Sequence, residues 1–165
     1  MGKTLGLLER IELIIPGFHG YKQKELIRED DKLVRNKVAS LLDDARKAVE
    51  KLMPMLLNTS PVAVIKLDNL RKDLMMVSQK IRHASYGYSG LFDRIKIREN
   101  ELNTLLQYDW NLISKANEIR DETYFLFKII NNEQQLLTKI DELSIKLFEL
   151  DGLVDQRERL LKEEG

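Results

Sequence analysis

The residues that could do chemistry in this sequence gather in two segments rich in glycine and aromatic side chains. The first is Gly17-Phe18-His19-Gly20-Tyr21, and the second runs from Tyr86 to Asp93. Imidazole, phenol and guanidinium groups at such positions could bind a small ligand or transfer protons, and helix packing alone does not require either segment. The candidate binding residues are Gly17, His19, Gly20, Tyr21, Arg82, His83, Tyr86, Gly87, Tyr88, Gly90 and Phe92.

These residues do not match a known catalytic or metal-binding motif. The segment Gly2-Lys3-Thr4 lacks the upstream glycines of a phosphate-binding loop, and Ser89 lacks the Gly-x-Ser-x-Gly spacing of a hydrolase nucleophile. A carboxylate-bridged metal bundle needs Glu-x-x-His pairs, but neither His19 nor His83 has a glutamate three residues before it. The absence of cysteine removes thiolate metal sites. We therefore expect no catalytic residue, no metal and no cofactor.

One level of the predicted core carries charge. Asp109 and Arg157 occupy positions where the helical pattern places apolar side chains, and we expect them to face each other. Counting the helical rise from each turn puts four more residues at a similar height: Asp31, Arg35, Arg82 and His83. A buried ionic layer would fix the register of the helices, because desolvation cancels much of its Coulomb gain. The alternative is a polar site in the core.

Apolar spacing predicts an antiparallel helical hairpin over residues 22–84. Apolar residues recur at intervals of three and four on both sides of Asn58-Thr59-Ser60-Pro61. The first seam consists of Ile27, Val34, Val38, Leu41, Ala45, Ala48, Leu52 and Met55, and the second of Leu67, Leu70, Leu74, Val77, Ile81 and Ala84. Ser60 is suited to cap the second helix, with Pro61 at its first position.

The same pattern predicts a second hairpin over residues 98–163. Folding the chain at Glu133 pairs every seam position, from Ile130 with Leu136 to Leu105 with Leu161. The intervening seam positions are Asp109, Leu112, Ala116, Ile119, Thr123 and Leu126, which face, in the same order, Arg157, Val154, Leu150, Leu147, Leu143 and Ile140. Because no glycine or proline enforces this turn, one long helix that needs a partner chain is the alternative.

The two hairpins predict an all-α fold, an antiparallel up-down-up-down bundle of long helices with coiled-coil-like packing. A chain of 165 residues with 43% hydrophobic content is expected to form one domain. Residues 1–21 would contribute a short N-terminal helix and a glycine and aromatic loop, and residues 85–97 a connector. Unequal helix lengths in the first hairpin would bring the two aromatic segments together at one end of the bundle.

The chain has no net charge, but its charges are unevenly distributed. Residues 99–165 carry eight basic and fifteen acidic side chains, so this part is at −7 and the first 98 residues are at +7. Opposite fields favour docking of the two parts on each other, within one chain or between chains. The acidic part would also weaken any binding to phosphates, so we expect no nucleic-acid partner.

The N-terminal apolar run between Leu5 and Ile15 is interrupted by charged residues and lacks the features of a secretory leader. No window approaches the length of apolar sequence that crosses a bilayer. The sequence therefore predicts a soluble, cytoplasmic protein. A helix over residues 4–15 could instead lie on a membrane surface, although packing on the bundle explains the same pattern.

Three features together resemble a family of helical prokaryotic proteins without an assigned function. They are Gly20-Tyr21-x-x-Lys24-Glu25, the run from Arg82 to Asp93, and an aspartate, Asp109, inside the next helix. The similarity covers residues 15–115, and its specific part is the string Tyr-Gly-Tyr-x-Gly-Leu-Phe-Asp. The resemblance implies a helical fold and a preserved loop motif, and it implies no activity.

Three functions remain open from the sequence. The favoured one is a noncatalytic scaffold or protein-interaction module that presents residues 86–93, or a helix face, to another protein or to itself. The first alternative is a small-ligand or enzymatic site at the aromatic end of the bundle. The second alternative is peripheral membrane association through residues 4–15.

Overall fold

The computed structural model describes residues 6–84 and 99–162, and all the regular structure in these ranges is helical. The five α-helices are α1 (Leu7–Ile14), α2 (Ile27–Leu56), α3 (Pro61–His83), α4 (Glu99–Phe125) and α5 (Glu133–Lys162). Short 3-10 turns cover Lys24–Leu26 and Leu126–Lys128. The predicted all-α fold is confirmed.

Helices α2 and α3 form the first hairpin, close to the predicted bounds. The Ser60 Oγ atom accepts a hydrogen bond from the Ala63 N–H at 3.3 Å, and Pro61 occupies the first turn of α3. Ser60 therefore satisfies a backbone donor that the helix itself leaves without a partner, while the proline loses no hydrogen bond there. This confirms the predicted cap and turn.

Helices α4 and α5 form a second hairpin, so the alternative of one continuous helix is wrong. Helix α4 ends at Phe125, and α5 begins at Glu133. The side chain of Asn132 accepts a hydrogen bond from the Gln135 N–H at 3.1 Å, which is the geometry of an N-cap. The asparagine cap and the 3-10 turn accomplish the reversal of direction without a glycine or a proline.

The four long helices pack as a four-sided bundle. Helix α2 packs against α3 and α4, and α5 packs against the same two helices. Direction alternates along the chain, yet α2 and α4 run parallel as neighbours. Asp31 and Asp109 share a layer in the N-terminal halves of these helices, and Ala48 of α2 and Tyr124 of α4 line one cavity in their C-terminal halves. Helices α3 and α4 are therefore diagonal to each other, and the α2–α4 side is opposite the α3–α5 side.

The predicted seams form the core. Nearly every seam residue in the four helices is buried, including all eight of α5. Met55 is an exception, because its side chain is 56% exposed while the adjacent Leu56 is buried. Assigning Met55 to the core was wrong, since the last turn of α2 directs Leu56 inward instead. Ala84 and Ile130, at the ends of their seams, are only partly buried.

Helix α1 packs on the outside of α4. Ile11 and Ile15 are buried against the bundle, whereas Leu13 is 73% exposed. Burial of Ile11 and Ile15 shows that this side of α1 faces the bundle. Association of residues 4–15 with a membrane surface stays a prediction. Within residues 6–84 and 99–162, no single helix is both long enough and apolar enough to span a bilayer.

Candidate functional site

The first glycine and aromatic segment forms a tight loop held by a buried carboxylate. Gly17 and Gly20 have φ values of +87° and +69°, which glycine adopts without steric cost. Asp30, buried near the start of α2, accepts hydrogen bonds from the backbone N–H groups of His19 and Tyr21, both at 2.9 Å. These charge-assisted bonds fix the loop to the bundle.

Tyr21 carries backbone strain within this loop. Its φ is +63°, a value that costs a residue with a side chain of the order of 1–3 kcal/mol. The two bonds from Asp30 and the burial of the tyrosine ring offset that cost. The ring meets Phe18 edge-to-face, with centroids 5.4 Å apart. The strained conformation therefore directs the Tyr21 side chain into the core rather than toward solvent.

The Tyr21 hydroxyl joins the charged layer that the sequence predicts. It donates a hydrogen bond to Asp109 Oδ2 and accepts one from Arg157 Nη2 at 3.3 Å. Arg157 Nε also donates to Asp109 Oδ1 at 2.7 Å. Asp109 and Arg157 are both buried, so the predicted pairing across the second hairpin is confirmed.

Asp31 and Arg35 extend this layer into the first hairpin. Arg157 Nη2 lies 2.7 Å from Asp31 Oδ1, and Arg35 Nε donates to Asp31 Oδ2 at 2.8 Å. Arg35 also donates to the backbone carbonyls of Ile81 and Arg82, at 3.3 and 2.9 Å. Two carboxylates and two guanidinium groups thus balance each other and bond all four long helices together.

Burial sets the proton affinities in the layer. It raises the pKa of the Asp109 carboxyl above its usual value, which Arg157 and the Tyr21 hydroxyl only partly offset. Burial and the negative charge of Asp109 raise the pKa of Tyr21 well above its usual value. Burial alone would lower the pKa of Arg157, but Asp109 and Asp31 hold it well above the ordinary value. Tyr21 and Arg157 therefore stay protonated at neutral pH.

The remaining candidate residues do not converge with this layer. The Arg82 side chain turns to Asp43, at 2.5 Å, and to Ser78. His83 is exposed, and His19 is half-buried beside Asp30, with Nδ1 and Oδ1 3.4 Å apart. The prediction that Arg82 shares the height of the layer holds for its backbone carbonyl, which Arg35 contacts. The Arg82 side chain lies outside the layer, as does the exposed side chain of His83.

The second glycine and aromatic segment lies outside the described residues. This applies to Tyr86, Gly87, Tyr88, Gly90 and Phe92, and to the expectation that the two segments meet at one end of the bundle. Their part in binding stays a prediction.

The charged layer has the properties of a structural element. Its hydroxyl, carboxylates and guanidinium groups are buried and bonded to one another, so a substrate has no access to them. In the part of the chain that the structure describes, histidine and carboxylate side chains form no group of three or more able to hold a metal ion. We interpret the layer as the device that fixes helix register and anchors the N-terminal loop.

The surface between α3 and α5 carries an apolar group that sequence analysis missed. Met76, Ile145 and Phe148 are 62%, 59% and 80% exposed, and Met76 and Phe148 line one shallow hollow. We call these three residues the α3–α5 face. Ile145 and Phe148 lie between the seam positions of α5. Large apolar residues at such positions are the sequence feature that could have predicted an exposed apolar surface here. Clustered exposed apolar side chains typically mark interaction sites.

The opposite side of the bundle contains a hollow between α2 and α4, of about 380 Å³. Its lining residues are Asp44, Lys47, Ala48, Lys51, Tyr124 and Phe127, and we call it the α2–α4 pocket. Tyr124 and Phe127 supply aromatic surface, whereas Lys47 and Lys51 are exposed and one helical turn apart. This volume is in the range of ligand pockets, about 300–1,000 Å³.

Comparisons with known proteins add no further constraint on this site. No family model matches the chain, and neither a curated protein nor a solved structure matches it significantly. The resemblance to a family of helical prokaryotic proteins stays a prediction.

Proposed function

We propose that the protein is a noncatalytic helical interaction module, in which the bundle is a rigid support and an outer helix face contacts another protein. The observation that carries the proposal is the α3–α5 face, where Phe148 stands 80% exposed beside Met76 and Ile145. Aromatic and methionine side chains are enriched at the centres of protein interfaces, where a few such residues supply most of the binding energy.

The surroundings of Phe148 support this proposal. Asp73 and Asp151 line the hollow beside it, and Lys80 pairs with Asp151 and Asp155 at 2.8 and 2.5 Å. An apolar centre with a charged rim is the usual arrangement of a protein interface. By contrast, the titratable groups best suited to chemistry, Tyr21 and Asp109, are buried and bonded inside the charged layer.

Residues 86–93 remain the second contact surface in this proposal. The support for them is the sequence pattern alone, with the aromatic residues Tyr86, Tyr88 and Phe92 in a glycine-containing segment.

The test immobilises the chain and identifies the proteins that it captures, and it compares the wild type with the variant Phe148→Asp. Because Phe148 is so exposed, this variant should fold like the wild type by circular dichroism. Leu13→Asp is the matched control, since Leu13 is a similarly exposed apolar residue on α1. We expect protein bound by the wild type and by Leu13→Asp to be lost from Phe148→Asp.

The proposal also has a test at the second surface. A Tyr86→Ala/Tyr88→Ala/Phe92→Ala variant should lose only partners that use residues 86–93. If the wild type retains no protein, or if both the Phe148 variant and the triple variant retain the same proteins as the wild type, the proposed function is wrong.

A further inference from the structure

The α2–α4 pocket has a rim with two lysines and one aspartate, so its charge is positive. Lys47 and Lys51 have no ion-pair partner among the described residues, and the acidic residue lining the pocket is Asp44. The aromatic wall of Tyr124 and Phe127 lies across from these two lysines. The pocket is therefore suited to an apolar or aromatic side chain that carries acidic groups beside it.

The α3–α5 face has the complementary chemistry. Phe148 is its most exposed side chain, and the acidic residues around it are Asp73, Asp151 and Asp155. Lys80 neutralises part of this charge by pairing with Asp151 and Asp155, whereas Asp73 is exposed and has no ion pair within the described ranges. An aromatic residue with an excess of negative charge thus lies on one side of the bundle, and a basic aromatic pocket lies on the other.

The two surfaces cannot meet within one molecule, because the α2–α4 and α3–α5 sides are opposite each other. They can meet between molecules. A contact between two different surfaces of identical chains is head-to-tail, and it leaves one free surface of each kind at the two ends. Further copies can then add at either end unless the rotation between copies closes a ring.

We propose that the partner of the α3–α5 face is a second copy of this chain, whose α2–α4 pocket receives Phe148. This inference rests on the proposed function, and it adds the identity of the partner and the geometry of assembly. The Phe148 ring packs against Tyr124 and Phe127 of the neighbouring copy, an arrangement that aromatic rings favour beyond area burial. The acidic surroundings of Phe148 approach Lys47 and Lys51 of the pocket, where opposite charges favour the contact.

The first test is sedimentation of the purified chain over a range of concentrations. The monomer has a mass of 19.3 kDa. We expect the average mass to rise with concentration and to pass that of a dimer. A chain that is monomeric at every concentration, or that stops at a closed dimer, would overturn the proposal, because a head-to-tail contact does not end after two copies.

The second test mixes two variants that each lack one of the surfaces. Phe148→Asp removes the inserted side chain, and Tyr124→Asp alters the pocket at an exposed residue. Each variant alone should associate at least about thirtyfold more weakly than the wild type, the factor expected for loss of a central aromatic anchor. Mixed in equal amounts, they should form a dimer and nothing larger, because one intact face and one intact pocket remain.

The controls separate this inference from the proposed function. Leu13→Asp should assemble like the wild type, and circular dichroism should show all three variants folded. If the mixed variants do not associate, or if either variant alone assembles like the wild type, the head-to-tail contact is refuted. The chain could also fail to self-associate and still capture a different protein through Phe148. That result would support the proposed function and refute this inference.

Discussion

The Tyr21 hydroxyl is the link between the N-terminal loop and the charges inside the bundle. It is buried, it donates to Asp109, and it accepts from Arg157. Without it, a buried carboxylate oxygen loses its donor and Arg157 loses one of its acceptors. The penalty for leaving such groups unsatisfied is larger than the net gain of an ordinary surface hydrogen bond.

Tyr21→Phe should therefore lower the free energy of unfolding by about 1–3 kcal/mol. Urea denaturation at pH 7 in the Phe148→Asp background, where self-association does not contribute, measures this in parallel with Tyr124→Phe as the control. Tyr124 is an exposed tyrosine, and its substitution should change stability by less than about 0.5 kcal/mol. Equal effects of the two substitutions would show that the Tyr21 hydroxyl contributes nothing specific.

The same tyrosine makes stability depend on alkaline pH. Because the pKa of Tyr21 is raised well above its usual value in the folded chain, above about pH 10 the unfolded chain releases this proton while the folded chain keeps it. The contribution of Tyr21 to the free energy of unfolding is therefore complete below about pH 10 and is lost as the pH rises toward the pKa of Tyr21 in the folded chain. Denaturation curves from pH 8 to 11 should show a steeper loss for the wild type than for Tyr21→Phe.

Arg157 is the residue whose loss should destabilise the fold most. It neutralises both Asp109 and Asp31, so Arg157→Met leaves two buried carboxylates without their shared cation. We expect a cost of about 3–5 kcal/mol. Adding Asp109→Leu should recover part of that loss, since removal of both charges avoids an unpaired carboxylate. Urea denaturation of both single variants and the double variant tests this, and additive costs would mean that the two charges do not interact.

At the residue scale, the sequence predicted the pair Asp109 and Arg157 because both interrupt an apolar pattern. It did not predict Asp30 as the carboxylate that holds the loop, since two adjacent aspartates near a helix start are ordinary surface residues in most proteins. Tyr21 was predicted as a binding residue at the end of the bundle, whereas its left-handed backbone turns the ring into the core. Periodicity carries no information about that torsion angle.

Two glycines, one inside α5 and one in the loop before α2, should respond to substitution in opposite directions. Gly152 lies inside α5, and a Cβ atom added there would meet nothing within 4 Å. Gly20 has φ +69°, and an added Cβ would lie 2.5 Å from Leu8 Cδ1. Gly152→Ala should therefore stabilise the fold by about 1 kcal/mol through helix propensity, and Gly20→Ala should destabilise it by at least about 1–2 kcal/mol.

Thermal and urea denaturation of these two glycine variants should be done in the Phe148→Asp background, so that self-association does not contribute. A loss of stability in Gly152→Ala would show that helix propensity does not decide the effect of a methyl group at this position. An unchanged Gly20→Ala would mean that the loop relaxes around the added methyl group.

At the element scale, hairpin registers were predictable because seam positions and turns constrain each other. Folding at Thr59 and Glu133 paired the same residues that the structure buries. The diagonal placement of α3 and α4 was not predictable, since apolar stripes specify which side of a helix is buried and not which neighbour covers it. The α3–α5 face was missed for a related reason, because Ile145 and Phe148 lie off the seam.

At the scale of the whole molecule, the opposite charges of the two parts of the chain meet as predicted. Lys66 pairs with Asp141 at 2.6 Å, and Lys80 pairs with Asp151 and Asp155 across the α3–α5 side. The Lys66 pair is exposed and the two Lys80 pairs are part-buried, so each contributes little to stability. Their effect is on the field around the bundle, because they consume most of the basic charge near Phe148 and leave an acidic surface there.

That field predicts the salt and charge dependence of assembly. Lys47→Glu/Lys51→Glu reverses the charge of the α2–α4 pocket, so it should weaken self-association. Added salt weakens association of the wild type, and it should no longer do so in this variant. Raising NaCl from 0.1 to 1 M shortens the screening length from about 10 Å to about 3 Å and should weaken the wild-type contact. Sedimentation at both salt concentrations measures this dependence.

The matched control is Lys22→Glu/Lys32→Glu, two exposed lysines near the other end of the bundle. It changes the net charge by the same amount, so any general repulsion between copies is equal in the two variants. Only the pocket variant should lose association at 0.1 M NaCl. Equal losses in the two variants would assign the effect to net charge. Unchanged self-association of Lys47→Glu/Lys51→Glu would mean that Phe148 binds without the two lysines.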